Sequence, residues 1–146
     1  MDELIQSMKK GLANTFAFYL KAHGFHWNVE GANFPQYHAL FERIYEEVYG
    51  SVDQWAEEIR AMDAYAPASF ARFSELTDIQ DEIKILDASG MLEKLLADNA
   101  IVLASIESAY ELAETAGNHG LSNFLAERQD AHAKHAWQLR ATLKQR

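Results

Sequence analysis

HWNVEGANFPQYH, residues 26–38, interrupts two long runs of helical apolar spacing. Gly31 and Pro35 break the pattern, Asn33 suits the cap of a new helix, and Pro35 suits its first turn. A connection this short between long helices forces them to lie side by side and antiparallel. The stretch therefore reads as the bend of a helical hairpin. Its first arm runs from about Asp2 to about Val29 and its second from about Pro35 to about Ala64.

Outward from the bend the same logic repeats. The first arm carries Leu4, Met8, Leu12, Phe16, Tyr19 and Leu20 as its expected apolar side. The second carries Phe41, Ile44, Val48, Val52, Trp55, Ile59 and Met62 in steps of three and four, an amphipathic signature. A third helix is expected from about Ser89 to Thr115, burying Leu92, Leu95, Leu96, Val102, Leu103, Ile106 and Tyr110, and AGNHG closes it before a fourth begins near Leu121. The segment from Ala64 to Ala88 is long enough to cross the bundle from end to end. The expected fold is all-α, a ferritin-like four-helix bundle with one long crossover. Thr77 is expected to cap a short helix inside that crossover.

The 146 residues are expected to form a single domain, 1–146, with 49 % apolar and 12 % aromatic residues to fill its core. The absence of cysteine excludes disulfides, thiolate metal sites and cysteine nucleophiles. MDELIQSMKK does not read as a secretory signal, and LANTFAFYL is too short to span a bilayer. A soluble, cytoplasmic protein with no membrane partner is expected. The formal net charge of −9 opposes direct DNA binding, for which only Lys9-Lys10 and the end Lys144-Gln-Arg146 offer local positive charge.

On the second helix His38, Glu42, Asp53 and Glu57 fall within an arc of roughly 100°, beside the apolar stripe. They form two i, i+4 pairs, each able to chelate, but the pairs lie about 22 Å apart along a helix rising 1.5 Å per residue. One chain cannot bring both to one ion. Either the pairs are unrelated surface charges, or a second copy of the helix lies antiparallel across a two-fold axis near Glu47 and Val48, so that each pair faces the other pair of its twin. His26, folded back by the bend, would join His38 as a third ligand. Imidazoles with carboxylates and no thiolate suit iron, with zinc or manganese as other first-row occupants of the same site. The Glu-x-x-His motif of intrachain dinuclear bundles does not occur in the chain.

HGFHWNVEGANF, YHALFERIYEE and VDQWAEEIRA together resemble the mini-ferritin family of DNA-protection-during-starvation (Dps) proteins, most strongly over about residues 12 to 62. The family pattern is HWN, a glycine, a phenylalanine, H-x-x-x-D and later D-x-x-x-E. The twelve-residue step from His26 to His38 and the eleven-residue step from Glu42 to Asp53 both match it. The resemblance implies a homo-oligomer, a hollow dodecamer, that oxidises ferrous iron at two-fold interfaces, preferably with hydrogen peroxide, and stores ferric oxide inside. It implies that His26, His38 and Glu42 of one subunit and Asp53 and Glu57 of its neighbour bind the iron. Glu42 stands where the family usually has aspartate, which moves the carboxylate by about one bond. A structural or nucleoid-associated oligomer with weak or lost ferroxidase activity is the alternative reading, and an uncommitted helical adaptor a third.

Other residues carry plainer expectations. Trp27, beside a ligand, is a candidate interceptor of stray oxidising equivalents. Trp55 is expected in the core or an interface, Tyr45 and Tyr49 in dimer packing, and His23 as polar lining. His132 and His135, near Asp130, are expected to pack or lie at the surface rather than bind metal. Asn118 and Asn123 occupy positions where the family commonly places pore aspartates, leaving Glu127 and Asp130 as acidic lining.

Overall fold

A computed structural model describes residues 1–144, so Gln145 and Arg146 of the expected basic end lie outside the described residues. Helices α1 (Asp2–Asn28) and α2 (Phe34–Ala61) form the first hairpin, α3 (Phe70–Leu76) sits in the crossover, and α4 (Ala88–Thr115) and α5 (His119–Leu143) form the second hairpin. This is the expected all-α, one-crossover bundle. α1 packs on both α2 and α4, α4 packs on α5, and α3 lies against α1. Among the described residues no helix is long and apolar enough to cross a membrane.

One contiguous core draws Leu12, Phe18 and Phe25 from α1, Phe41, Ile44 and Trp55 from α2, Leu95 and Ile106 from α4, and Leu121 and Leu125 from α5. Each such side chain taken fully out of water contributes about 1.5–3 kcal/mol. The α2 stripe is as expected, with Val52 and Met62 half-buried. The α1 stripe is not. Leu4, Met8 and Leu12 are buried, but the buried face continues through Thr15, Phe18, Ala22 and Phe25, leaving Phe16 and Tyr19 half-buried and Leu20 exposed. Repeated four-residue steps advance about 40° beyond a full turn each time, so a run from Leu4 to Leu20 drifts about 160°, nearly to the opposite side of the helix.

Helix ends follow local chemistry. Asn33 occupies the N-cap of α2 but makes no side-chain cap bond; its carbonyl oxygen instead accepts from the amides of Gln36 and Tyr37. α4 starts one residue earlier than expected because the Asp87 carboxylate accepts from the Gly90 amide at 2.8 Å. Gly117, at φ +69°, ends it in the left-handed conformation, with the Asn118 amide bonded back to the Ala113 carbonyl.

The crossover differs from expectation. Its helix lies at Phe70–Leu76, capped by Ser69, whose side chain accepts from the Arg72 amide at 3.2 Å. Thr77 ends that helix instead of starting one. Its hydroxyl donates to Asn14 Oδ1 at 2.7 Å and accepts from the Ile79 amide, a local turn that competes with helix capping. Buried Asn14 also accepts from the Asp78 amide and donates to Ser105 Oγ at 2.6 Å, tying the crossover to α1 and α4. Lys21 adds a buried ion pair to Asp98 at 2.6 Å and a bond to the Gln80 carbonyl.

At Gly11 α1 comes close against α2. A Cβ placed there would lie 2.4 Å from Cζ3 and 2.6 Å from Cη2 of the fully buried Trp55 indole. The rigid ring has no flexible end to move aside. Gly11→Ala should therefore destabilise by about 1–3 kcal/mol despite the better helix propensity of alanine, read as a lower urea midpoint; equal or greater stability would show that α1 and α2 are not this close.

Candidate metal centre

The bend between α1 and α2 sets two imidazoles face to face. His26 Nδ1 lies 2.8 Å from the His38 carbonyl oxygen, and His38 Nδ1 lies 2.7 Å from that of His26. A carbonyl oxygen only accepts, so each Nδ1 carries the proton and donates, leaving each Nε2 with a free lone pair. The His26 carbonyl is among the last of α1, which have no helical partner, so the bond also satisfies an orphan acceptor. The rings stack at 3.7 Å between centroids and 17° between planes. This is the arrangement by which a backbone acceptor fixes the tautomer and orientation of a metal-binding imidazole.

Glu42, one turn along α2 from His38, places Oε1 3.7 Å from His26 Nε2. Two donors about 2.1 Å from a common ion lie no more than about 4.2 Å apart, so one first-row ion can touch both. Asp53 and Glu57 lie farther along the same flank of α2. Both are exposed, line an open depression with Gly50 and Glu58, and have no hydrogen-bond or ion-pair partner among the described residues. They are not brought to His26, His38 and Glu42. Among the described residues of one chain no group of three or more histidine, aspartate or glutamate side chains closes a metal site. The imidazole pair with Glu42 and the acid pair Asp53/Glu57 thus stand apart on one flank of α2.

Aromatic side chains surround the histidine half. His23 stacks on Tyr45 at 3.8 Å and 11°, meets Trp27 at 4.3 Å, and has Nδ1 2.9 Å from the Tyr19 hydroxyl. Loss of solvation, then the neighbouring His26, lowers the His23 pKa below its ordinary value. Loss of solvation, then Tyr49 and Tyr45, raises that of Tyr19. His23 is therefore part of a stacked cluster, more than the polar lining expected. Trp27 is largely exposed, and Trp55 is wholly core, edge-on to Phe124 at 5.3 Å.

Sequence reasoning missed a polar network on the other side of α2. The Arg128 guanidinium donates to both oxygens of Glu47, at 2.6 and 3.0 Å, and His135 Nε2 donates to the same carboxylate at 2.8 Å. Arg128 also donates to His132 Nε2 at 3.2 Å, which leaves His132 Nδ1 to donate to Asn99 Oδ1 at 2.7 Å. The chain of bonds joins α2, α5 and α4. His132 and His135 thus pack, and the guanidinium among them repels a cation. The i, i+4 spacing of Arg128 and His132 was a visible signal, but Glu47 lies 81 residues from Arg128 and no local pattern links them.

Burial raises the Glu47 pKa, but the bonds and charges of His135 and Arg128 outweigh that and hold it far below the usual carboxylate range. Burial, followed by the charge of Arg128, holds the His132 pKa well below its ordinary value. In the stretch expected to line a pore, the Asn118 side chain caps α5 by accepting from the Leu121 amide at 3.2 Å. Asn123 and Glu127 are exposed, and Asp130 pairs with Lys134 at 2.9 Å.

Residues 5–146 match the family described as ferritin-like domain. A protein of Bacillus anthracis named DNA protection during starvation protein 2 is 31 % identical over 143 residues, 98 % of each chain. The crystal structure of a Dps protein from Vibrio cholerae, described as a member of a broad superfamily of ferritin-like diiron-carboxylate proteins, superposes with a TM-score of 0.94 at 29 % identity, covering 98 % of this chain and 90 % of that one. Dps from Staphylococcus aureus gives a TM-score of 0.94 at 28 % identity over 100 % and 98 % of the two chains.

The Glu47 network carries a pH signature. Both pKa values are depressed on folding, so the unfolded chain takes protons first and stability is lost as pH falls: His132's share below its ordinary 6.5, Glu47's below its ordinary 4.5. Glu47→Gln should cost about 1–2 kcal/mol at pH 7, discounted for the half-exposed carboxylate. The gap to the parent should narrow below pH 4.5, as read from urea midpoints at pH 7 and pH 3.5. An equal gap at both would show that the ion pair supplies none of it.

Proposed function

This chain belongs to the Dps mini-ferritins of the ferritin-like family, and from that membership we propose that it oxidises ferrous iron at sites shared between two-fold-related subunits and stores the ferric product in a hollow dodecamer. Hydrogen peroxide is the preferred oxidant in this reading. The observation that carries it is the pairing of half-sites on one helix flank. His26 and His38 hold their Nε2 lone pairs ready beside Glu42, while Asp53 and Glu57 stand exposed without partners of their own.

The midpoint of the two pairs along α2 falls between Glu47 and Val48. A two-fold axis there, with the helices antiparallel, sets His26, His38 and Glu42 of one subunit against the partner's Asp53 and the partner's Glu57. Each dimer then holds two identical sites. The imidazoles favour a first-row ion over calcium or magnesium. The carboxylates attract Fe²⁺ and favour the more highly charged Fe³⁺ still more, which drives oxidation. Two ferrous ions give one electron each to peroxide, its O–O bond breaks, and two hydroxides form. The hydrolysed ferric ions then pass to the store.

In this reading the acidic lining for iron entry along α5 is thin: Asn118 is spent on capping, Asp130 pairs with Lys134, and Glu127 remains exposed. Protection of DNA in this reading comes from removing iron and peroxide together. The net charge of −9 and the pairing of Lys10 with Asp78 leave little for phosphate binding.

Complementation tests the shared site. His26→Ala/His38→Ala and Asp53→Ala/Glu57→Ala variants should each oxidise iron at background rates. Randomly mixed one to one, half the two-fold interfaces join unlike subunits, and each such interface has one intact site of two. About a quarter of the parental activity should return. No recovery in particles verified as mixed would contradict sharing, as would full activity in either variant alone.

A further inference from the structure

Resting on the iron-oxidising reading and extending it, we propose that Tyr19 and His23 form a phenol–imidazole pair that donates an electron to radicals generated beside the iron site, with His23 holding the phenolic proton meanwhile. A ferrous ion that meets peroxide alone can give it only one electron, which leaves hydroxide and a hydroxyl radical. Such a radical attacks whatever lies near, and a built-in donor makes the damage reversible.

The Tyr19 hydroxyl lies 2.9 Å from His23 Nδ1, and with the imidazole proton on Nε2 the phenol donates this bond. Of the six tyrosines, Tyr19 is the one whose hydroxyl meets an imidazole among the described residues. A phenol that loses an electron becomes a strong acid, so oxidation is easy only where a base receives its proton in the same event. His23 is that base, and Tyr19 is half-buried beside it. The His23 ring stacks on Tyr45 at 3.8 Å, and Tyr45 meets the His26 ring edge-on at 5.2 Å. Contiguous ring contacts therefore lead from a proposed iron ligand to the pair.

The step balances. The hydroxyl radical takes one electron from Tyr19 and becomes hydroxide, the phenolic O–H bond breaks with its proton moving to His23 Nδ1, and a neutral phenoxyl radical remains. A further ferrous ion then returns one electron, His23 returns the proton, and Tyr19 is restored. The sum is hydroxyl radical plus Fe²⁺ giving hydroxide plus Fe³⁺, the same ferric product the store accepts. Trp27, whose ring meets that of His23 at 4.3 Å and 40°, is the competing donor.

Two readouts test the pair. In the first, iron-free particles are photo-oxidised with a ruthenium polypyridyl and persulfate, frozen, and examined by electron paramagnetic resonance. The parent should show a phenoxyl signal that Tyr19→Phe reduces at least fivefold and His23→Phe at least threefold, while Tyr65→Phe leaves it intact. In the second, ferrous-loaded particles receive substoichiometric peroxide in the presence of a spin trap. Tyr19→Phe should at least double the trapped hydroxyl radical. A phenoxyl signal undiminished in Tyr19→Phe, or a signal lying on tryptophan, overturns the proposal. Failure of the parent to oxidise iron, with the photo-oxidation result intact, would instead overturn the ferroxidase reading and leave the phenol–imidazole pair standing.

Discussion

The reciprocal bonds between two imidazoles and two backbone carbonyls at the α1–α2 bend organise the candidate site. Each is a neutral hydrogen bond, of modest net worth by itself. Their consequence is directional: with both Nδ1 protons committed to His26 and His38 carbonyl oxygens, both Nε2 atoms are acceptors fixed in place. The bend that makes the hairpin also makes the candidate ligand pair, so the fold and the proposed chemistry share one five-residue cause. Glu42 then needs only the ordinary rise of α2 to reach His26 Nε2.

Much of this was legible in the sequence because it is local. The hairpin, the one crossover and the α2 stripe follow from periodicity and loop length. The grouping of His26 with His38 follows from a short bend between antiparallel helices. What failed depended on competition or distance. The side of α1 that Leu20 occupies was misjudged because four-residue steps outrun the helix, and the crossover helix was misplaced because Thr77 bonds Asn14 and Ile79 instead of capping. The ion pairing of Glu47 escaped notice because it is one acid in a run of them, its partners Arg128 and His135 being 81 and 88 residues away.

The two faces of α2 divide the labour. One carries the candidate ligands, with exposed acids at one end and tethered imidazoles at the other. The opposite face carries Glu47, locked by Arg128 and His135 into α5 and through His132 into α4. That network adds bonds of fixed geometry to the apolar packing of Phe41, Ile44, Val48, Trp55 and Ile59, and together they hold α2 against rolling about its own axis. A helix free to roll would carry both half-sites out of register with any symmetric neighbour. The stacked rings of His23 and Tyr45, with Trp27 tilted against His23, lie beside the His26 and His38 imidazoles, where oxidising chemistry is proposed.

The proposed function turns on one ion held by side chains of two subunits. It is tested most directly by anomalous scattering at the iron edge from crystals of the particle soaked anaerobically in ferrous salt. A shared site should give a peak within bonding distance of His26 Nε2 and Glu42 that also touches Asp53 of the partner subunit or the partner's Glu57. Iron bound wholly within one chain, or a two-fold contact that leaves the acid pair facing solvent, would contradict it.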